Sequence, residues 1–335
     1  MSLAIVNTLP EAEWRRFVDA HPDSNIYHTP EMFQVYARAR GYRPTLWAAV
    51  DDGQTLALLL PVEVSVLGGP ARLLTTRAIV YGSVLAAPGP AGVAALTELL
   101  AAYARRAGRW VLFTELRNLS QLPEAQPVLA GRGFHYENHL NFLVDLRQSE
   151  EALWRKVTKS GQQSVRTSRN KGTVIEVVDQ RAGLGEAYTL LQAVYARAQV
   201  PLAHPSLFEA AFDVLGPAGL FKAFIARAEG RAIGACLALA WRERVIDWYA
   251  GTDRGFAAHA PMEALIWHVI TWARANGYTI FDFGGAGRPE EDYGPRKFKA
   301  KFGGELVELG RNVHVPSPLR LRASEFGYRL LRRFL

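Results

Sequence analysis

The sequence predicts a mixed α/β (α+β) protein made of two copies of one domain, each a mixed, twisted sheet flanked by helices. Three observations predict it. The chain has 335 residues, the size of two domains rather than one. One order of elements (two hairpin strands, a third strand, a helix, a buried strand) occurs in the first half and again in the second. The two passages also share phrases at an offset of about 170 residues, too long for a solenoid repeat. D-D-G answers A-E-G, V-Y-G-S answers W-Y-A-G-T, and Y-A-R-R-A-G-R-W-V-L-F-T-E-L answers T-W-A-R-A-N-G-Y-T-I-F-D-F.

Taken in order, Glu11 to Ala20 carries Trp14, Phe17 and Val18 at helical spacing. Pro30 to Ala39 follows as a second helix, with Thr29 to cap it and Pro30 in the first turn. Leu46 to Val50 and Thr55 to Val66 read as strands joined at Asp52-Gly53. Ala78 to Leu85 is a further strand. Val93 to Ala107 is a helix with Leu96, Leu99, Leu100 and Tyr103 on one face, stopped by Gly108. Trp110 to Leu116 is then a buried strand.

The second half repeats this. Phe221 to Arg227 and Ala232 to Trp241 are strands joined at Glu229-Gly230, and Val245 to Gly251 is the third. Met262 to Asn276 is the helix, Gly277 its stop, and Tyr278 to Phe283 the buried strand. The seam falls at Leu146 to Glu150, giving domains at 1–148 and 149–315. Pro316-Ser317-Pro318 closes the second. In the tail (316–335), Leu319 to Leu335 is a basic amphipathic helix with Phe326, Leu330 and Phe334 one turn apart. It either docks on the first domain or lies on a membrane surface.

Composition narrows the class. Apolar residues make up 49% and charged ones 21%, ordinary for a chain with real cores. Lys and Arg number 39 against 32 Asp and Glu, a net charge of +7, which favours polyanionic partners. Cys236, alone in G-A-C-L-A-L-A, cannot pair within the chain and reads as a buried thiol in a reducing compartment. No charged leader precedes a long apolar run, and the longest such run, Leu56 to Val62, holds Pro61. The expected location is cytoplasmic.

The stretch that promises chemistry is Thr279 to Gly304. A buried strand interrupted by one carboxylate, Asp282, breaks into Gly284, Gly285 and Gly287. The chain returns with Arg296, Lys297, Lys299 and Lys301 among Phe298 and Phe302. A strand end beside a permissive loop is rigid and reachable. Phe298 and Phe302, four apart, can anchor the segment and fix Lys299 in one direction; alternatively all four cations face solvent. Asp282 is either a base or a cap on the glycine loop. The basic stretch Glu151 to Arg169, with Arg155, Lys156, Lys159 and Arg166, is either a solvated face or a ridge that tracks phosphates.

Other devices are missing. There is no phosphate-binding glycine-lysine-serine/threonine run and no G-x-S-x-G elbow. H-Y-E-N-H at His135 to His139 has the wrong order for a zinc helix and precedes a strand, where the two rings diverge. The G-G-A-G loop leaves G-x-G-x-x-G incomplete, and Glu290, Glu291 and Asp292 would repel a pyrophosphate.

On these blocks the chain resembles the Fem family, the aminoacyl-tRNA-dependent transferases that build peptidoglycan interpeptide bridges. The resemblance rests on I-Y-H-T-P-E-M-F-Q-V-Y, H-L-N-F-L-V-D-L with the basic helix after it, D-W-Y-A-G-T, W-A-R-A-N-G-Y-T-I-F-D-F-G-G and, most specifically, F-K-A-K-F-G-G. It implies two tandem GNAT-like (acyltransferase) domains, with the tail returning to the first. It implies that an amine of a peptidoglycan precursor attacks the ester of an aminoacyl-tRNA, with no cofactor, no metal and no covalent intermediate. The family's functional lysine falls on Lys299 beside Phe298, its active-site aromatic on Tyr249, and its precursor-gripping arginine on Arg197. Asp282 joins Lys299 and Tyr249 as a catalytic candidate; Arg166, Lys301 and Tyr36 join Phe298 and Arg197 as substrate contacts. The family's early precursor-binding lysine has no counterpart, since Phe33 to Arg40 offers arginines. Expected partners are aminoacyl-tRNA, a nucleotide- or lipid-linked muropeptide, and peripherally the inner membrane face. The alternatives are N-acyl transfer from acyl-CoA, or a tRNA-dependent amide synthesis in secondary metabolism. The first needs a pyrophosphate cradle where the chain reads D-R-G-F-A-A-H-A-P-M.

Overall fold

The computed structural model of the chain describes residues 3–65 and 69–331; Val66, the expected strand end, and Phe334 of the tail lie outside the described residues. Each half opens its main hairpin with the same turn. Asp52 and Gly53 both take positive φ (46° and 77°), as do Glu229 and Gly230 (53° and 73°). That is the type I′ pattern, whose twist matches the strands it joins. The register also shifts at corresponding places, between Ala49 and Val50 and between Ala226 and Arg227. The duplication extends to the bulge in the strand after each turn, where Leu56 and Ile233 are the extra residues.

The chain forms two units, 1–138 with 309–335, and 139–308. The first unit runs β1 (Ala4–Val6), α1 (Glu11–Ala20), α2 (Pro30–Arg38), β2 (Tyr42–Pro44), β3 (Trp47–Asp51), β4 (Gln54–Leu59) and β5 (Val62–Ser65). It continues with β6 (Thr76–Tyr81), β7 (Leu85–Ala86), α3 (Pro90–Arg106), β8 (Thr114–Arg117), α4 (Ala125–Gly131) and β9 (His135–Glu137). α3 lays Leu96, Leu99, Leu100 and Tyr103 on Trp47, Ala57 and Leu59. The Tyr103 hydroxyl meets Thr114 Oγ1 at 2.9 Å, so the one polar tip on that face is satisfied.

The second unit comprises β10 (Leu140–Asp145), α5 (Glu150–Lys156), α6 (Lys159–Asn170), β11 (Val174–Val177), α7 (Arg181–Ala198), α8 (Pro205–Leu215), β12 (Phe221–Ala228) and β13 (Arg231–Trp241). After these come β14 (Arg244–Thr252), α9 (Pro261–Ala275), β15 (Ile280–Gly285), α10 (Gly294–Lys299) and β16 (Glu305–Glu308). Its seven strands order as β11-β12-β13-β14-β15-β10-β16. Leu265, Val269 and Ala273 of α9 pack on Phe224, Cys236, Phe281 and Phe302; α7 and α8 cover the other face. The chain then returns to the first unit as β17 (Arg311–His314) and α11 (Pro318–Leu331). There β17 completes the sheet order β2-β5-β6-β8-β17-β9.

Five expectations need correction. Ala78 to Leu85 is not one strand: β6 and β7 lie in different sheets, parted at Gly82 and Ser83, which both take positive φ (79° and 72°). Thr55 to Val66 is two strands in two sheets, because Pro61 has no N–H for the ladder and its carbonyl instead accepts Thr45 N at 2.9 Å. Trp110 to Leu116 yields only β8, since Gly108 to Trp110 forms a 3₁₀ turn and Trp110 is exposed. The basic helix is broken at Val157-Thr158, where Thr158 caps α6 by accepting Gly161 N at 3.2 Å. The seam at 148 also divides differently: β10 pairs with β15 and β16, so the second unit takes it, while β17 pairs with β8 and β9 in the first. Sequence order cannot reveal such an exchange of strands.

Candidate active site

In the second unit, β14 and β15 are the parallel pair. They are in register at Arg244 with Ile280, Val245 with Phe281 and Ile246 with Asp282, and then part. β14 stays with β13, and β15 goes with β10. At the point of parting β14 bulges, so that Asp247 faces Ala238 and Tyr249 faces Leu237, with Trp248 the extra residue. A bulge re-aims side chains. Asp247 turns to the Cys236 side, whose thiol reaches its Oδ1 at 3.7 Å. Trp248 and Tyr249 turn to α8, with Phe208 at 5.7 and 4.9 Å between ring centroids.

The segment after the glycine loop supplies the cation. Phe302 is buried and lies 5.4 Å from Phe298 and 5.6 Å from Phe283. Gly303 takes φ 69°, and a Cβ there would stand 2.5 Å from Lys156 Cβ and 2.6 Å from its carbonyl oxygen, so only glycine fits. Held at both points, α10 directs Lys299 back to the strand end. Its Nζ donates to the carbonyls of Phe283 at 2.6 Å and Gly285 at 2.8 Å, which leaves one ammonium hydrogen for another acceptor.

Charges at this fork are tuned against each other. Burial pushes the Asp247 carboxyl up to about 6, opposed by the Lys299 ammonium and the Cys236 thiol. Burial pulls Lys299 below its ordinary value, opposed by Asp247 and then Asp282. The Tyr195 phenol, on α7, is pushed up to about 12 by burial and then by the charges of Asp247 and Tyr293. It stands 5.8 Å from the Tyr249 ring. A carboxylate nearer neutrality than usual beside a fixed ammonium is what proton transfer and oxyanion binding need.

The other candidates sort by place. Asp282 is fully buried, and its oxygens accept Gly284 N at 2.7 Å and Arg244 at 3.1 Å. Those bonds hold the loop and the fork, the cap that was the alternative to a base. Lys301 pairs with Glu263 of α9 at 2.9 Å and serves as an anchor. Arg166 lies exposed on α6, its guanidinium 5.7 Å from the Trp154 ring, and Arg197 is exposed in the last turn of α7. Tyr36 belongs to the first unit, stacked between Tyr42 and Tyr81 at 5.7 and 5.4 Å. The fork therefore gathers Lys299, Phe298, Asp282 and, through Tyr195, Tyr249. Sequence reasoning missed Asp247 and Tyr195. The signal for Asp247 was present, a lone carboxylate inside the apolar run V-I-D-W-Y, the same feature that pointed to Asp282.

Comparison with known proteins bears on the fold. The family model for an acetyltransferase (GNAT) domain matches residues 155–299, a span that ends on Lys299. No curated protein matches the chain in sequence. Among solved structures, FemX superposes with a TM-score of 0.72 at 15% identity, over 96% of this chain and 100% of that one. The C-terminal domain of a putative lysylphosphatidylglycerol synthetase from Agrobacterium fabrum gives 0.59 at 14%, over 96% of each. A tandem GNAT protein from the clavulanic acid biosynthesis pathway gives 0.58 at 13%, over 95% and 99%. These likenesses establish a tandem GNAT-like fold that FemX shares.

Proposed function

We propose that this chain, a Fem-like acyltransferase of tandem GNAT fold, moves an aminoacyl group from aminoacyl-tRNA to an amine of a peptidoglycan precursor. The observation that carries the reading is Lys299, half-buried and held by two backbone carbonyls at the strand fork, where its charge acts on Asp247. The amine nitrogen bonds to the ester carbonyl carbon, and negative charge gathers first on the carbonyl oxygen. The remaining Lys299 hydrogen meets that charge. A fixed donor so placed is worth about 3–4 kcal/mol, or 10²–10³ in rate. Asp247 takes the proton shed by the nitrogen and returns it to the departing ribose oxygen as the ester C–O bond breaks. The products are an amide and a free tRNA hydroxyl, and Asp247 is again a carboxylate.

The exposed cations of α5 and α6 (Arg155, Lys156, Lys159, Arg166, Arg169) support the choice of donor, since RNA phosphates seek such a ridge. Acyl-CoA is the competing donor, favoured by the GNAT family match. Against it stands the turn before α9. There Asp253 places its carboxylate on Gly255 N at 2.9 Å, so a carboxylate already takes a backbone N–H that a pyrophosphate would seek.

The test mixes the protein with a pool of charged tRNA and a nucleotide-linked muropeptide, with an acyl-CoA and the same acceptor in a parallel tube. The expected product is a ribonuclease-sensitive mass gain of one amino-acid residue, with Lys299→Met slower by 10²–10³ at unchanged thermal stability. Acylation in the second tube alone would overturn the choice of donor.

A further inference from the structure

The tail helix leaves one side uncovered. Arg320 donates to the Arg109 carbonyl at 2.8 Å and also to that of Val111, and the Ser324 hydroxyl donates to the Leu74 carbonyl at 2.6 Å. These bonds dock one edge of α11 on the first unit. Leu319 and Phe326, seven residues apart and so on one helical face, are 77% and 62% exposed. Beside the docked edge, Trp110 is 51% exposed, and Leu73 and Leu74 are 42% and 44% exposed. Five of the large exposed apolar side chains thus gather round one short helix, where single ones scattered over a surface would need no explanation.

The charges in this neighbourhood are mostly basic. Arg105 and Arg106 end α3, Arg109 stands 4.8 Å over the Trp110 ring, and Arg322 shares the exposed face of α11; all four are exposed. The one acid of α11, Glu325, lies about 120° round the helix from Leu319. A second copy of the chain would bring these arginines against their own images, which repel. Trp, Phe and Leu ringed by arginine match the headgroup region of an anionic bilayer instead. We propose that this face of the first unit seats on an anionic lipid surface, with Trp110, Leu319 and Phe326 entering the interface and the arginines meeting lipid phosphates.

Co-sedimentation of the full chain with vesicles tests it, independently of any transfer chemistry. Vesicles of phosphatidylcholine with phosphatidylglycerol should capture the protein, and vesicles of phosphatidylcholine alone should not. The pair Trp110→Ser with Phe326→Ser should weaken capture roughly tenfold or more, and Arg105→Gln with Arg106→Gln and Arg322→Gln should remove the preference for the anionic lipid. Matching circular-dichroism melts would establish that both variants fold. Failure of the anionic vesicles to capture the chain would overturn the proposal, and so would unchanged capture of the serine variant. So would a lipid-free dimer in equilibrium sedimentation that the serine variant abolishes, since the face would then be an interface between copies.

Discussion

Lys299 is one of four cations within six residues, and only their partners tell them apart. Arg296 ties down the glycine loop through the carbonyls of Ala286 at 2.8 Å and Pro289 at 3.1 Å. Lys297 stays in solvent, paired with Asp292. Lys301 anchors to α9, and Lys299 alone reaches the fork. The spacing of Phe298 and Phe302 made one inward lysine legible, but the sorting of the rest depends on contacts with distant strands. Asp247 carries a testable cost. Its carboxyl binds a proton more tightly in the folded chain (about 6) than in the unfolded one, where it has the ordinary value of 3.8. Its contribution to stability is therefore fully present below the unfolded value and lost as pH rises through 6. Asp247→Asn should then melt higher than the native protein above pH 6, by no more than about 3 kcal/mol at 1.36 per unit, with the gain vanishing near pH 4. His28, pulled down to about 4 by burial, has the opposite slope, but it is common to both proteins and cancels in the difference. A melting difference that stays flat with pH would refute the shift.

At the level of elements, F-K-x-x-F-G works as a clamp with three parts: an aromatic anchor, an inward amine, and a glycine pressed against the end of α5. Gly303→Ala adds both a backbone penalty at positive φ and a clash with Lys156, so a loss of more than about 2 kcal/mol is expected in urea unfolding. Gly294, at the start of α10, has nothing within 4 Å of a would-be Cβ. Gly294→Ala should leave stability equal or raise it by about 0.4–1 kcal/mol. Equal effects at the two glycines would show that the clamp does not hold the segment. The strands of the fork were legible from their apolar runs, within a residue or two. The bulge at Trp248 was not. Simple alternation puts Asp247 and Tyr249 on one face, and the bulge that separates them is set by the register against β13. The helices α7 and α8 also escaped, although they carry Tyr195 and Phe208.

For the whole molecule, the basic balance makes a prediction about salt. If α5 and α6 track an RNA backbone, the affinity for uncharged tRNA should fall linearly on a log–log plot against salt concentration. Replacing Lys159, Arg166 and Arg169 with glutamine should flatten that slope by about 2–3, while the melt of the protein stays unchanged. A slope that does not change would place RNA elsewhere on the surface. Among the described residues no helix is long and apolar enough to cross a membrane.

The sequence by itself determined the duplication, the place of each hairpin turn, the apolar faces of α3 and α9 and the inward lysine of the second unit. All of these follow from local spacing and from what a few residues permit of their own backbone. The exchange of β10 and β17 between the units, the reaiming of Asp247 and the holding role of Asp282 were decided only by the tertiary structure. Each depends on which distant strand supplies the neighbouring hydrogen bonds, and that choice minimises unpaired backbone over the whole sheet rather than over any one stretch of chain.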